Sequence, residues 1–253
     1  MDTNDREYRP DRRSLLRHTA GAGLGVASLG LLGGGRLLGG DAAVAAPACT
    51  LTAEQEEGPY YLDLEKIRRN ITEGEAGLRL DLRVTVVDSS TCEPIEDVSV
   101  DIWHCDAGGL YSGFSAEGTK GETYLRGVQL TDSSGLAAFR TVYPGWYQGR
   151  ATHIHLKAHV GGRSGSSSYS GGHVAHTGQL FFSDTMTDRV AKLSPYTKRT
   201  ITRTRNKVDR VYRQQDGSGA LLRLTKRSSS SLRKGLTARI TLGVDPSATP
   251  RSA

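Results

Sequence analysis

Leu78-Arg79-Leu80-Asp81-Leu82-Arg83-Val84-Thr85-Val86-Val87 alternates apolar with polar side chains along its length. A period of two puts the apolar set on one face, which is the pattern of a strand with one buried side. Residues 88–94, rich in Asp, Ser and Pro, then break the pattern. Alternation returns at 98–103, 127–130, 137–142, 153–160 and 179–182, and a last strand is expected at 236–244. Helical periodicity is confined to a short stretch at 184–193. Short strands punctuated by Gly, Pro, Asp and Ser predict a mostly β chain, an antiparallel or mixed β-sandwich with long loops and few short helices. Segments 161–172 and 228–231 are so rich in Gly and Ser that mobile loops are expected there.

The 253 residues suit one such sandwich plus a leader. Arg12-Arg13-Ser14-Leu15-Leu16 precedes a Gly- and Ala-rich stretch, and Ala43-Val44-Ala45 offers small residues for cleavage, so 1–45 reads as a twin-arginine export signal. The remainder divides into a domain at 46–245 and a disordered tail at 246–253. Seven glycines and Arg36 interrupt residues 19–38, whereas spanning a bilayer takes roughly 20 continuous apolar residues. No stable membrane insertion is therefore expected. Cys49 follows Ala46-Pro47-Ala48, a poor lipoprotein signal, so lipid anchoring there is not expected either. Export by this route carries folded proteins and suits a preloaded cofactor. With Cys49, Cys92 and Cys105, one disulfide and one thiol are allowed in an oxidising compartment, and all three pairings stay open.

Charge is unevenly placed. Residues 198–234 hold twelve Lys and Arg against Asp209 and Asp216. With Tyr212 as the only aromatic residue there and no nucleic-acid motif, the block reads as a solvated basic face, and no nucleic-acid partner is expected.

His153-Ile154-His155 lies inside an alternating strand, so both imidazoles project to one side, close enough to share a metal ion. Before it stands Tyr143-Pro144-Gly145-Trp146-Tyr147-Gln148-Gly149-Arg150. Earlier still come Trp103-His104-Cys105-Asp106-Ala107-Gly108-Gly109-Leu110-Tyr111-Ser112, then Leu125-Arg126-Gly127, Thr131-Asp132 and Gly135. Glu57-Gly58-Pro59-Tyr60-Tyr61 lies upstream of all of these. Together these spaced segments resemble the intradiol ring-cleavage dioxygenases, over roughly 49–182 with a weaker continuation to 244.

The resemblance implies a β-sandwich and a non-haem Fe(III) site held by Tyr111, Tyr147, His153 and His155. It further implies intradiol cleavage of catechol-type rings with O2 to cis,cis-muconates, outside the cytoplasm, in the breakdown of aromatic or lignin-derived compounds. Tyr147 matches the tyrosinate that a substrate displaces and that takes a substrate proton. Arg150 matches an arginine that stabilises charge developing on the ring, and Gln179 a glutamine behind the metal ligands. Pro59 and Tyr60 are candidates for the pocket wall. Trp103, Phe139 and Phe182 are expected in the core, and His104, His159, His173 and His176 outside the ligand set. No counterpart of the helical domain that pairs subunits in cytoplasmic catechol 1,2-dioxygenases is recognised, which leaves the oligomeric state open. Two phenolates with two imidazoles form a hard, anionic set that favours ferric iron. Two other readings compete with this one: an exported transthyretin-like binding module without catalysis, and a zinc or copper protein using His153, His155 and a third histidine.

Overall fold

The computed structural model describes residues 49–251. The leader expected at 1–45 lies outside the described residues, as does the very end of the expected tail. Among the described residues ten strands form: β1 (Arg79–Asp88), β2 (Ser99–Trp103), β3 (Arg126–Leu130), β4 (Leu136–Val142), β5 (His153–Val160), β6 (Arg163–Ser164), β7 (Tyr169–Ser170), β8 (His173–Phe181), β9 (Arg223–Lys226) and β10 (Leu236–Val244). Two short helices, α1 (Asp184–Val190) and α2 (Arg210–Gln214), lie between β8 and β9. One sheet has the order β4-β1-β10-β9 and the other β3-β2-β5-β8.

The alternation that predicts the strands also builds the core. Leu80, Leu82, Val84 and Val86 of β1 meet Ala238 and Leu242 of β10, together with Val100, Ile102, Ile154 and Leu156 from the opposing sheet, in one buried cluster. Phe139 and Phe182 join that cluster as expected. The sandwich is mixed, because β1 pairs in parallel with β10 and antiparallel with β4. The Gly- and Ser-rich segment 161–172 forms a small hairpin of β6 and β7. Gly162 donates its amide to the Tyr169 hydroxyl there at 2.8 Å.

Of the three cysteine pairings, Cys49–Cys92 is the one formed, and Cys105 is a buried thiol. The basic block is less free than a solvated face would be. Arg203 and Arg205 pair with Asp184 and Asp188, Arg210 with Glu56, and Arg227 with Asp81. No helix among the described residues is long and apolar enough to cross a membrane.

Asp101 of β2 faces away from the core beside its register partner Lys157. Burial lifts its carboxyl from 3.8 to about 7, and Asp63 adds to the rise, while Tyr61, Arg126 and Lys157 oppose it. The folded value exceeds the unfolded one, so protonated Asp101 favours the fold. That contribution is complete below the unfolded value and is lost as pH climbs through about 7. Urea melts from roughly pH 4 to pH 8 are expected to show stability falling by up to a few kcal/mol. Asp101→Asn flattens that slope; an equally steep slope in the variant excludes Asp101 as its source.

Candidate metal centre

Ile154, Leu156 and Ala158 take the core side of β5, which turns His153 and His155 to the outer face of the sheet. Both imidazoles are nevertheless buried, at 2 % and 0 % exposure. They lie beneath the N-terminal segment and beneath the loops that follow β2 and β4. Gln55 donates its backbone N–H to Thr177 O at 2.9 Å, and Gln179 Nε2 donates to Glu56 O at 2.8 Å, which docks that segment on β8. Gly58 then passes over His155 with φ +75, and a Cβ there would lie 3.1 Å from His155 Cε1. Glycine is needed for both the conformation and the approach.

Strand register aligns Arg126, Trp103, His155 and Gln179 in one row across the sheet. The Trp103 indole stacks on the His155 ring, with centroids 5.0 Å apart and planes 7° from parallel. Trp103 is thus buried as expected, but it packs against the site rather than within the central core.

Tyr111 and Tyr147 arrive on two loops that are tied together. Gly145 donates to Asp106 O at 2.9 Å. A Cβ on Gly145 would fall 2.6 Å from the carbonyl oxygens of Asp106 and Ala107, so the Pro-Gly pair is there for close approach. Arg126, only 3 % exposed, donates to Tyr60 O at 2.8 Å, to Ser112 Oγ at 2.9 Å and to Ser112 O at 2.8 Å. It clamps the segments that carry Tyr60 and Tyr111, whose rings stack at 4.2 Å and 6°. Tyr60 also meets Tyr147 edge-on at 6.1 Å, which places its ring against both tyrosines. Pro59 is exposed on the adjoining turn.

The polar atoms converge. Tyr147 Oη lies 3.2 Å from His153 Nε2, which lies 3.0 Å from His155 Nε2. The Ala151 carbonyl accepts from His153 Nδ1 at 2.6 Å, which assigns the proton to Nδ1 and leaves the Nε2 lone pair facing the cluster. The Tyr111 ring sits 5.8 Å from that of Tyr147 and 6.0 Å from that of His155. Its buried hydroxyl faces that of Tyr147 but forms no hydrogen bond of ordinary geometry, and His155 Nδ1 has no partner.

Burial pushes the Tyr111 hydroxyl well above its ordinary value, with Tyr147 adding to the rise, and burial likewise raises Tyr147 against the pull of Arg150. Burial pulls both imidazoles well below 6.5; Arg150 adds to this at His153, and the neighbouring His153 does so at His155. By themselves the four side chains are therefore neutral, and two phenols and two lone pairs face one small volume.

Arg150 donates Nε to Asp209 Oδ2 at 2.8 Å and hydrogen-bonds Gln179 Oε1, with Glu56 3.9 Å away. Asp209, fully buried, also accepts from Ala151 N at 2.7 Å and caps α2 through Tyr212 N at 2.9 Å. Neither Asp209 nor Gly58 was singled out as a site residue from the sequence. The sequence signal at Asp209 is that it is one of only two acids inside the basic block 198–234. Gly58 had one only as part of the Gly-Pro-Tyr segment.

A family model described as Dioxygenase matches residues 56–167. The intradiol ring-cleavage dioxygenase of Tetranychus urticae is 31% identical, with a TM-score of 0.72, over 81% of this chain and 98% of that one. The chain belongs to the intradiol ring-cleavage dioxygenases. A dioxygenase domain from a Streptomyces fusion with a carbohydrate-binding protein is 25% identical, with a TM-score of 0.54, over 78% of this chain and 99% of that one. Among curated relatives, chlorocatechol 1,2-dioxygenase of Cupriavidus pinatubonensis is 32% identical over 36% of either chain, so this intradiol dioxygenase matches about a third of that relative's length.

The intradiol family depends on non-haem iron, and the donors present here suit such an ion. Donors held at about 2.1 Å from one ion and at right angles to each other lie about 3 Å apart. The spacings of 3.0 Å and 3.2 Å are of that size. The Tyr111 hydroxyl, which lacks an ordinary hydrogen bond, supplies a further oxygen, and a cation removes the protons that burial otherwise retains on both phenols. Among the described residues no group of three or more His, Cys, Asp and Glu could hold a metal. The zinc or copper reading therefore lacks its third histidine. His104, for one, is satisfied by Cys105 O at 2.8 Å and by Thr141 Oγ1 at 2.7 Å.

Proposed function

We propose that this chain is an exported Fe(III)-dependent intradiol dioxygenase that cleaves catechol-type rings between their two hydroxyls with O2, giving cis,cis-muconates. The observation that carries the reading is a fully buried phenol without an ordinary hydrogen bond, Tyr111, set beside a second phenol and two imidazoles whose lone-pair atoms already adjoin. A binding module gains nothing from that arrangement, because an unpaired buried hydroxyl weakens the fold.

Tyr111, Tyr147, His153 and His155 would hold the iron. Ferric iron, when bound, supplies the Lewis acidity that keeps both phenols ionised and draws electron density from a coordinated catecholate. Tyr111, His153 and His155 are immobilised by burial and by their neighbours, whereas Tyr147 remains partly exposed. Tyr147 is accordingly the side chain with room to move, and its Oη would take a proton from an entering catechol. Arg150 is held by Asp209 and Gln179, so its positive charge is fixed beside Tyr147, where it favours the anionic phenolate and any negative charge that develops on the substrate. Tyr60, packed on both tyrosines, and Trp103, stacked on His155, would keep water from the ligands.

The Cys49–Cys92 disulfide supports a working place outside the cytoplasm, reached through the twin-arginine leader at 1–45, with 46–245 as the catalytic domain. It also occupies the thiol that a lipid anchor on Cys49 would need. Catechol, protocatechuate, hydroxyquinol and lignin-derived catechols are the candidate substrates.

Purified, iron-loaded protein is expected to be red to burgundy from tyrosinate-to-iron charge transfer. It is expected to consume O2 with catechols and to release muconates rather than extradiol semialdehydes. Colourless protein that loads iron but turns over no catechol in the panel overturns the proposal. Tyr147→Phe is expected to keep iron and a weakened colour, while kcat/KM falls about a hundredfold through loss of the displaced base. Unchanged kinetics in stopped-flow and oxygen-electrode assays remove Tyr147 from that role.

A further inference from the structure

The sheet β4-β1-β10-β9 carries a charge pattern on its outer face that the metal centre does not use. Arg83 of β1 is in register with Arg239 of β10, and Arg239 with Arg223 of β9, so three guanidiniums stand in one row across adjacent strands. Like charges directly opposite on a sheet are destabilising. Among the described residues none of the three makes an ion pair or a side-chain hydrogen bond, and only Arg83 has an acid near it, the exposed Asp132, whose carboxyl it helps to lower. The acid one position along, Asp81, is already engaged by Arg79 and Arg227.

The row lies in a groove of about 830 Å³, within the range of roughly 300–1,000 Å³ typical of ligand sites. Thr85, Thr241, Ser134 and Ser218 add hydroxyls to it, Leu136, Leu221 and Ile240 give it apolar surface, and no acidic residue lines it. Strand β9 pairs with β10 only as far as Arg239, so β9 does not cover the edge of β10 beyond that point.

We propose that this groove binds a linear carboxylated polysaccharide, with successive carboxylates on Arg83, Arg239 and Arg223 and sugar hydroxyls on the threonines and serines. Neighbouring strands are about 4.8 Å apart, so the row presents a cation at each such step over about 10 Å. One small anion spans at most two guanidiniums of that row, whereas a chain with a carboxylate on every sugar can pair with all three. Guanidinium takes carboxylate in a bidentate fork. Nucleic acid is a poorer fit, because no aromatic side chain lines the groove to stack on a base. The site sits on the sheet that does not carry the tyrosines and histidines, so its test stands apart from the dioxygenase assignment.

The experiment measures anisotropy of a labelled oligogalacturonate with the full chain at low and high salt, beside its methyl-esterified form and a single-stranded DNA of equal charge. The wild type is expected to prefer the free acid and to lose it as salt rises. The triple variant Arg83→Gln, Arg223→Gln, Arg239→Gln is expected to bind roughly tenfold or more weakly, with unchanged oxygen uptake. Its melting temperature is expected to rise as the repulsion is relieved; Arg239→Gln alone gives a smaller change of the same sign. A control carrying Lys198→Gln, Lys207→Gln and Arg233→Gln binds as the wild type. Four results overturn the proposal: equal binding by the triple variant, equal binding of the methyl ester, tighter binding of the DNA, or a dimer in light scattering that the triple variant abolishes.

Discussion

Asp209→Ala is expected to cost about 3–5 kcal/mol of stability, the magnitude found when one partner of a buried ion pair is removed. It is also expected to weaken metal binding by about 10–100-fold, as loss of a group behind the ligands does. The carboxylate has no exposure and three donors: Arg150 Nε, Ala151 N and Tyr212 N. Its removal leaves Arg150 with only Gln179 and the more distant Glu56, uncaps α2 and frees the peptide of Ala151, whose carbonyl fixes the tautomer of His153. A carboxylate at the start of a five-residue helix thus positions an imidazole on the opposing strand's outer face. Asp209→Asn retains the volume and one acceptor, so it is expected to cost about half as much, since its amide then faces a donor. Urea melts and iron titrations of both variants decide this. Wild-type iron affinity in a folded Asp209→Ala protein rules out the positioning role, and an unchanged melt rules out the buried network.

What was legible in the sequence followed from local period. Strands β1, β5 and β10 keep a strict alternation, so their limits match the expected ones at 78–87, 153–160 and 236–244 to within a residue. Strand β8 was expected only from 179, yet it begins at His173. Its first six residues, His173-Val174-Ala175-His176-Thr177-Gly178, do not alternate apolar with polar side chains and end on a glycine. They become a strand because Glu54 accepts from Thr177 N at 2.8 Å and bonds His176 Nδ1 at 2.5 Å, partners that lie far away in the chain. Tertiary contacts override propensity there. Strand β9 was missed because its side chains are mostly exposed and basic, leaving no apolar stripe to count. The parallel pairing of β1 with β10 spans most of the domain and has no local signature.

The site divides in the same way. That His153 and His155 share a face is a property of one strand, and so can be read directly from the order of residues. That Trp103 stacks on His155, with Arg126 and Gln179 completing the row, depends on the register of four strands. Arg126 stands in the Leu125-Arg126-Gly127 segment of the resemblance, but its clamping role has no local signature, because it bonds two backbone carbonyls and a serine rather than an acid.

Tyr111→Phe is expected to act in opposite directions with and without metal. In metal-free protein the Tyr111 hydroxyl is buried with no hydrogen bond of ordinary geometry, a condition that costs about 1–3 kcal/mol. Phenylalanine removes that cost and keeps the stacking on Tyr60, so the metal-free variant is expected to melt higher, by about 1 kcal/mol or more. With Fe(III) the order reverses. The wild type gains stability with ligand concentration according to its affinity, whereas a site reduced to one phenol binds ferric iron far more weakly and gains little. The burgundy colour and the uptake of O2 with catechol are expected to vanish together in the variant. Melts of both proteins with and without Fe(III) separate the two contributions. A variant that is less stable without metal, yet gains as much from iron as the wild type, would show that the hydroxyl serves packing alone. A reversal of the order on adding iron is the outcome expected of a residue that weakens the fold in order to hold an ion.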